Sequence, residues 1–431
     1  MQAAGRWLHG FLLVALGAPL LAFAWGTRAG EVVFVLYEEP KLAALELFGW
    51  CLLAALTWKR PSDLNLGPAL SRSRRAPWCW WWLLLLYSLL TRLWVAVPAN
   101  LWFELRQYFL VGMLVLFLQA WAERDPRIVS RVSQGLVLSA VLLTAVGLFQ
   151  VAFPVPWLSP IDPGSGVANP SLMGYRSPAA LALVGQICVL GKMIAETQTP
   201  TRRRWLALLL ALELIYLATL ESRTAYVALL VTGLFLLVAW ALAGRSRTRT
   251  RFVPAVVLGL AVLASATLLN PAARERLGSV VSLATRPSAL VQTDRGTYLL
   301  NSLNMVRHHP FGVGLGDWQT QYPVYRRYQR TLYFSETLQV RKAHDDHVQI
   351  FAELGWPGLV LWSGFLVGVV LVPLKSFLTT GEPARLLIAG QVVTSTVAMA
   401  MDSVLEAPWG KLQMLLVAFV ATWNPAEPAV T

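Results

Sequence analysis

Twelve apolar runs, each long enough to cross a lipid bilayer, constrain this 431-residue chain more than any other feature. A helix needs roughly 20 residues to span about 30 Å of hydrocarbon. Because no water reaches the backbone there, each run is expected to be a helix. The runs lie near 7–25, 40–58, 76–97, 99–122, 129–153, 177–196, 204–221, 223–243, 252–270, 346–374, 383–401 and 405–423. The sequence therefore predicts an all-α polytopic integral membrane protein with about 12 transmembrane helices.

Composition supports the same class of protein. Charged residues make up 14% of the chain, whereas soluble proteins carry about 25%. This deficit excludes intrinsic disorder, a coiled coil and a soluble enzyme. The net charge of +13 could indicate a nucleic-acid partner, but much of it lies in alternate short connections between the runs. We therefore expect no nucleic-acid binding.

The placement of basic residues predicts how the chain is oriented. Short connections rich in Lys and Arg stay in the cytoplasm. The basic connections contain Lys59, Arg60, Arg72, Arg74 and Arg75; Arg124, Arg127 and Arg131; Arg202, Arg203 and Arg204; Arg245, Arg247, Arg249 and Arg251; and Lys375 and Arg385. The short connections between them are poor in basic residues. Both termini are therefore expected in the cytoplasm.

One long connection, residues 271–345, divides the chain into two groups of helices. We expect runs 1–9 within residues 1–270, an outer-face loop over 271–345, and runs 10–12 within 346–431. Alternation of polar and apolar residues predicts amphipathic helices at 297–309 and 321–330. Any chemistry is expected on this outer side of the membrane.

A histidine segment joins this loop to the tenth run. His344, His347 and Phe351 are three or four residues apart, so they share one helical face. A histidine can accept a proton from a hydroxyl at neutral pH, which makes His344 a candidate general base. A metal site at the two histidines lacks a convincing third ligand. Alternatively, Asp345 and Asp346 indicate only a helix N-terminus that favours negative charge.

Three arginines are candidate anion ligands. Arg223 stands between the seventh and eighth runs, where it either reaches to the membrane interface or binds substrate. Arg92 and Arg106 lie one to two turns inside the outer ends of runs three and four, a depth at which charges usually face a cavity or a partner. Glu104 could pair with either arginine. Converging arginines could instead hold a phosphate or pyrophosphate.

The long loop also carries a Gly-x-Gly-x-Gly run at Gly312, Gly314 and Gly316. It is not a dinucleotide-binding fingerprint, since no strand or βαβ unit surrounds it. We interpret its glycines as permitting a tight turn that lays the loop over the membrane.

Three linked motifs resemble the O-antigen ligase and polymerase superfamily, and most closely the O-antigen ligases. They follow one another over roughly residues 160–370, around a large outer loop. The motifs are Ser222-Arg223-Thr224-Ala225; Arg295 with His309-Pro310-Phe311-Gly312-Val313-Gly314-Leu315-Gly316; and Ala343-His344 with Gln349, Glu353, Gly355, Pro357 and Gly358. The chain departs from the family at Asp345, where Asn or Ser is common, and at His347, where an aromatic residue is frequent.

The resemblance implies a glycosyltransferase of GT-C-type fold in the bacterial inner membrane, with its active site facing the periplasm. It implies metal-independent, inverting transfer of a glycan from undecaprenyl pyrophosphate to a sugar hydroxyl of lipid A–core, without any cofactor. His344 would be the general base, and Arg223 and Arg295 would hold the pyrophosphate. Further candidate substrate contacts are Arg92, Arg106, Arg176, His347 and Gln349. We expect a monomer that contacts membrane lipids.

Other functions stay open on sequence grounds. A polysaccharide polymerase would more often have two sizeable outer loops, whereas the second loop here, 154–176, is short. A protein O-oligosaccharyltransferase usually has an added C-terminal region. A lipid-linked glycan transporter would place charges near the midplane and interrupt helices in both halves of the chain. Only the tenth run shows such an interruption, at Gly355, Pro357 and Gly358.

Overall fold

The computed structural model describes residues 66–75, 77–153, 171–173, 176–243, 294–326, 343–405 and 408–423, with isolated positions within 43–54 and 257–265. Within these ranges all regular secondary structure is helical. The helices are α1 (Gly67–Ser73), α2 (Trp78–Leu90), α3 (Pro98–Ala122), α4 (Arg127–Ala152), α5 (Arg176–Val184), α6 (Ile187–Glu196), α7 (Pro200–Thr219), α8 (Arg223–Leu242), α9 (Asp294–His308), α10 (Trp318–Tyr325), α11 (Asp346–Thr380), α12 (Pro383–Met399) and α13 (Pro408–Thr422). Short 3₁₀ turns occupy Thr91–Leu93 and Ser171–Met173.

Five membrane-length apolar segments stand out among the described helices. They are Pro98–Ala122, Arg127–Ala152, Ser177–Glu196, Arg223–Leu242 and Asp346–Thr380. The described residues thus confirm the all-α prediction, and these five segments are consistent with a polytopic membrane protein. The predicted run 7–25, and most of runs 40–58 and 252–270, lie outside the described residues, so the total of twelve stays a prediction. The helices predicted at 297–309 and 321–330 correspond to α9 and α10, although α10 ends earlier, at Tyr325.

The predicted run 177–196 is two helices, α5 and α6, separated at Gly185 and Gln186. Side chains from elsewhere in the bundle bind the backbone groups that this break leaves without helical partners. Gln391 donates to the carbonyl of Val184 at 3.0 Å and accepts from the amide of Cys188 at 2.9 Å. Such replacement bonds allow a helix to break at membrane depth.

Helix α11 is also interrupted, at Gly355, which has a φ of 63°. Its first nine residues form a short segment, and the remainder, to Thr380, is long enough to span a bilayer. Left-handed φ is accessible to glycine because it lacks a Cβ atom. The interruption leaves carbonyl groups on the Ala352–Glu353 turn that bind another part of the chain, as described below.

The two ends of the bundle differ in charge. At the basic end, Arg72 forms an ion pair with Glu123 and lies over the Trp423 ring, 4.7 Å from its centroid. At the same end Arg385 donates to the Trp423 carbonyl at 2.9 Å. Arg72, Glu123 and Arg385 belong to three of the connections that are rich in basic residues, and these connections therefore meet at this end. We call the opposite end, where α8 and α11 begin and α12 ends, the site end.

Candidate active site

His344 lies at the site end, immediately before α11. Its backbone is left-handed, with a φ of 53°, a conformation that costs a non-glycine residue about 1–3 kcal/mol. The next residue, Asp345, caps α11 by accepting from the amides of His347 at 2.9 Å and Val348 at 3.0 Å. Burial raises the pKa of Asp345 above its ordinary value despite these hydrogen bonds. The helix N-terminus expected at this motif is therefore confirmed beside His344.

Asp402, between α12 and α13, joins two of the predicted site residues. Its Oδ1 lies 3.5 Å from Nδ1 of His344, and its Oδ2 lies 3.5 Å from a guanidinium nitrogen of Arg295. Arg295 also donates to the carbonyl of Met401. The side chains of His344 and Arg295 are 44% and 50% exposed, whereas Asp402 is only 12% exposed. The buried Asp402 carboxylate therefore contacts two solvent-accessible side chains, those of His344 and Arg295.

The charge state of Asp402 follows from these contacts. Burial by itself would raise the pKa of Asp402. The hydrogen bond from His344 and the charge of Arg295 outweigh burial and hold this pKa below its ordinary value. Asp402 is thus an anion at neutral pH. Sequence reasoning missed it, and the available signal was an acid in a short connection on the same side as His344.

Asp346 fixes the segment that carries Asp402. This buried carboxylate accepts from the amides of Val404 at 2.8 Å and Leu405 at 2.9 Å. Because Asp346 is two residues after His344, these bonds connect the start of α11 to the segment that leads into α13. A second carboxylate, whose Oδ2 accepts both bonds, therefore helps to set the His344–Asp402 separation.

The glycine run docks against the break in α11. The amide of Val313 donates to the Ala352 carbonyl at 3.1 Å, and that of Gly314 to the Glu353 carbonyl at 2.8 Å. A Cβ atom on Gly312, whose φ is 81°, would lie 2.2 Å from the Glu353 oxygen. The expected tight turn is confirmed, and its glycines also permit this close approach to α11.

Glu353 and Gln349 hold the same junction through side chains. The buried Glu353 carboxylate accepts from the amide of Gly316 at 2.9 Å and from the Gln349 side chain at 3.2 Å. Gln349 in turn accepts at 3.3 Å from the amide of Ala343, which is the residue before His344. Both motif residues therefore act within the protein, and a substrate contact by Gln349 stays a prediction.

On its other side the glycine run contacts the connection between α2 and α3. Asp317, which is fully buried, accepts from the amides of Ala96 at 2.8 Å and Val97 at 3.3 Å. The Trp94 indole donates to the carbonyl of Gly312 at 3.0 Å. The loop is thus held between two parts of the bundle, and this fixes the position of α9 and Arg295.

Arg223 is the exposed first residue of α8. Helices α8 and α12 pack antiparallel: Thr232 hydrogen-bonds Thr394 at 2.7 Å, and one turn later in α8, Leu236 packs against Gly390, one turn earlier in α12. Extending this register toward the start of α8 brings Arg223 level with the segment that joins α12 to α13. Arg223 therefore lies at the site end, as Arg295 and His344 do.

His347 has protein partners on both ring nitrogens. Its Nε2 lies 3.0 Å from the carbonyl of Thr396, and its Nδ1 accepts from the Trp362 indole at 2.9 Å. The first bond joins α11 to α12, and the second joins the short first segment of α11 to its long second segment. A metal bound jointly by His344 and His347 would have to replace one of them. The role of His347 as a substrate contact stays a prediction.

Among the described side chains, neither Arg92 nor Arg106 contacts His344, and their role as substrate contacts stays a prediction. Arg106 pairs with Glu46 at 2.7 Å, while Arg92 is exposed on the 3₁₀ turn between α2 and α3. Of the two alternatives left open for these arginines, the pairing with Glu104 is not found: Glu104 accepts instead from the wholly buried Lys411 at 2.5 Å. Helix rotation, which hydropathy does not reveal, decided between these partners. The side chain of Arg176 lies outside the described residues.

Comparison with known proteins gives one family. Residues 206–363 match the family model described as O-Antigen ligase, whereas no curated protein matches the chain. The matched segment contains Arg223, Arg295 and His344, three residues that lie at one end of the bundle. Members of this family are glycosyltransferase-like ligases and polymerases. Residues 206–363 of this chain, which contains several membrane-length apolar helices, are therefore similar to the O-antigen ligase family.

Proposed function

We propose that this protein is an O-antigen ligase, which transfers a glycan from undecaprenyl pyrophosphate to a sugar hydroxyl of lipid A–core. The observation that carries the proposal is the accessible His344 beside Asp402 and Arg295. His344 and Arg295 both lie within the segment that matches the family. Transfer of a glycan from a pyrophosphate to a hydroxyl requires a base for the hydroxyl proton and a cation for the leaving group, and both are present at this exposed point.

In the proposed reaction the acceptor hydroxyl oxygen attacks the anomeric carbon of the donor sugar. The bond from that carbon to the pyrophosphate oxygen breaks, and undecaprenyl pyrophosphate leaves with the electron pair. The hydroxyl proton passes to Nε2 of His344, because Nδ1 faces Asp402. A single displacement inverts the anomeric configuration.

Arg295 and Arg223 would stabilise the negative charge on the departing pyrophosphate. Arg295 donates to the Met401 carbonyl and to the Asp402 carboxylate, and its side chain is half exposed. Its remaining N–H groups can therefore reach a ligand. Arg223 lies at the same end of the bundle. Two guanidinium groups would supply the charge stabilisation that a metal provides in other transferases.

The proposed location is the bacterial inner membrane, with the site end in the periplasm and both termini in the cytoplasm. The separation of the basic end from the site end supports this orientation, because basic connections remain in the cytoplasm. Both substrates carry lipid chains, and their sugars would meet at the periplasmic surface of the inner membrane.

The test is transfer by purified protein in nanodiscs. Glycan-loaded undecaprenyl pyrophosphate and lipid A–core are incubated with a chelator, and wild type is compared with His344→Ala. We expect product on lipid A–core from the wild type and a loss of about 10²- to 10⁴-fold in the variant.

The matched control is His308→Ala, which removes an exposed imidazole whose Nδ1 bonds to the Asn304 carbonyl, outside the proposed site. It should retain the wild-type rate. Elongated lipid-linked glycan without product on lipid A–core would make the protein a polymerase. No product of either kind would contradict glycosyl transfer, and full activity of His344→Ala would contradict the role of the base.

A further inference from the structure

The imidazole of His344 has few contacts for a group that must be aimed at a substrate. Its side chain is 44% exposed, and among the described residues its only edge contact is Asp402, at 3.5 Å. A hydrogen bond of that length directs a ring weakly. The left-handed backbone fixes where the side chain starts but not the plane of the ring. A further contact is needed to set that plane.

The ring of Tyr298 supplies a contact on the imidazole face. The two ring centroids are 5.9 Å apart and the planes differ by 23°, an offset stack. Tyr298 follows Arg295 by three residues in α9, so both side chains project from the same face of that helix. One face of α9 therefore presents the cation and the stacking ring to the same small region.

Tyr298 is itself held by a buried aromatic cluster. It packs edge-on against Trp318, at 6.2 Å between centroids, and against Tyr322, at 5.8 Å. The Trp318 indole donates to Ser302 at 2.8 Å, and the Tyr322 hydroxyl accepts from Asn301 at 3.0 Å. The cluster is thus anchored at two points to α9. Contact with these anchored rings restrains the buried Tyr298 side chain.

We propose that Tyr298 is a positioning residue: its ring sets the plane of the His344 imidazole so that Nε2 points at the acceptor hydroxyl. This rests on the proposed function, in which His344 is the base. The aromatic ring, not the hydroxyl, is the required part, because the face of the ring makes the contact. Tyr298 accordingly connects the packing of α9 and α10 to proton transfer.

The test compares Tyr298→Phe with Tyr298→Met in the nanodisc transfer assay. Phenylalanine keeps the stack and should retain kcat within about twofold, whereas methionine fills similar space without a planar ring. Because small misplacements of a reacting group are costly, kcat of Tyr298→Met should fall about tenfold or more. KM for the lipid-linked donor should stay near the wild-type value. Because a misfolded fraction would lower the apparent kcat without changing KM, kcat is expressed per mole of folded, monodisperse protein.

A second measurement reads the contact without using activity. Carbethoxylation of His344 by diethyl pyrocarbonate, followed by peptide mass spectrometry, should be faster in Tyr298→Met than in wild type or Tyr298→Phe. Tyr325→Met is the matched control: Tyr325 ends α10, the helix that carries Trp318 and Tyr322, and contacts His308 and His309, with no contact to His344 among the described residues. It should leave both kcat and the His344 reaction rate unchanged.

Three results would overturn the proposal: wild-type kcat in Tyr298→Met, a loss in Tyr298→Phe as large as in Tyr298→Met, or equal carbethoxylation rates in all variants. If Tyr298→Met misfolded, Tyr298→Phe would still test the proposal, since both its kcat and its carbethoxylation rate must match those of the wild type. An inactive wild type would contradict the proposed function and leave the carbethoxylation comparison as the measure of the Tyr298 contact.

Discussion

Asp402 uses each carboxylate oxygen for a different site residue, His344 on one side and Arg295 on the other. Asparagine keeps the shape but carries no charge and has one acceptor fewer. We expect Asp402→Asn to lower kcat by about a hundredfold or more, because a histidine base loses its orienting carboxylate. Donor KM should change much less. Initial rates in nanodiscs check this, and an unaltered kcat would remove Asp402 from the mechanism.

The same carboxylate should also make stability depend on pH. The pKa of Asp402 lies below its ordinary value, so the folded protein keeps the carboxylate ionised to lower pH than the unfolded chain does. Its stabilising contribution is therefore complete above about pH 4 and is lost as pH falls through the folded-state pKa. The difference in Tm between wild type and Asp402→Asn should hold at neutral pH and shrink below about pH 4.

At the residue scale, sequence reasoning gathered His344, Arg295 and Arg223 at one end but missed Asp402. The motif carried the first three, whereas Asp402 stands 58 residues beyond His344, between two apolar runs. No local pattern shows that α12 returns its end to the start of α11. The partner of Glu104 was missed for a related reason, because Lys411 reaches it only through the packing of α13 on α3.

At the element scale, the glycine run and the break in α11 form one interlocked unit. The break at Gly355 leaves the carbonyls of Ala352 and Glu353 for the amides of the run. Gly312→Ala would place a Cβ atom 2.2 Å from the Glu353 backbone oxygen at a φ of 81°. We expect a loss of about 1–3 kcal/mol of stability from the left-handed backbone alone, and lower transfer activity because α9 shifts.

Gly191→Ala is the matched control for this substitution. Gly191 lies within α6, and a Cβ atom there would meet only the Leu387 side chain, at ordinary contact distances of 3.4 and 3.7 Å. Alanine is favoured over glycine inside a helix by roughly 0.5–1 kcal/mol. Thermal unfolding in detergent should show Gly191→Ala equal to or above wild type. Gly312→Ala with wild-type Tm and activity would contradict the interlocked arrangement.

Element positions were the part of the fold most accessible from sequence. Hydropathy gave α3, α4 and α8 to within two residues, because long apolar runs need helices at membrane depth. It did not reveal the break between α5 and α6. A Gly-Gln pair in an apolar run looks continuous, and the break depends on Gln391 and Gln413, more than 200 residues away. The same break weakens our sequence-based objection to a transporter, which assumed uninterrupted helices in the first half.

At the scale of the whole molecule, polar groups are sorted between the two ends of the bundle. The basic end holds Arg72 and Arg385 in contact with Trp423, and the site end holds Arg295 and His344 around Asp402. Between them, buried Lys411 pairs with partly exposed Glu104, and Gln391 and Gln413 bind backbone carbonyls within the bundle. This arrangement favours chemistry at one membrane surface over passage through the middle.

The orientation of these ends is the last prediction. In a variant whose three cysteines, Cys51, Cys79 and Cys188, are replaced by alanine, a single cysteine is introduced at exposed His308 or at exposed Arg204. Basic connections remain in the cytoplasm, so a membrane-impermeant maleimide should label position 308 in cells with a permeabilised outer membrane. Position 204 should react only after the inner membrane is opened. The reverse pattern would place the site end in the cytoplasm, where lipid A–core would have to be met before export, and would contradict the proposed location.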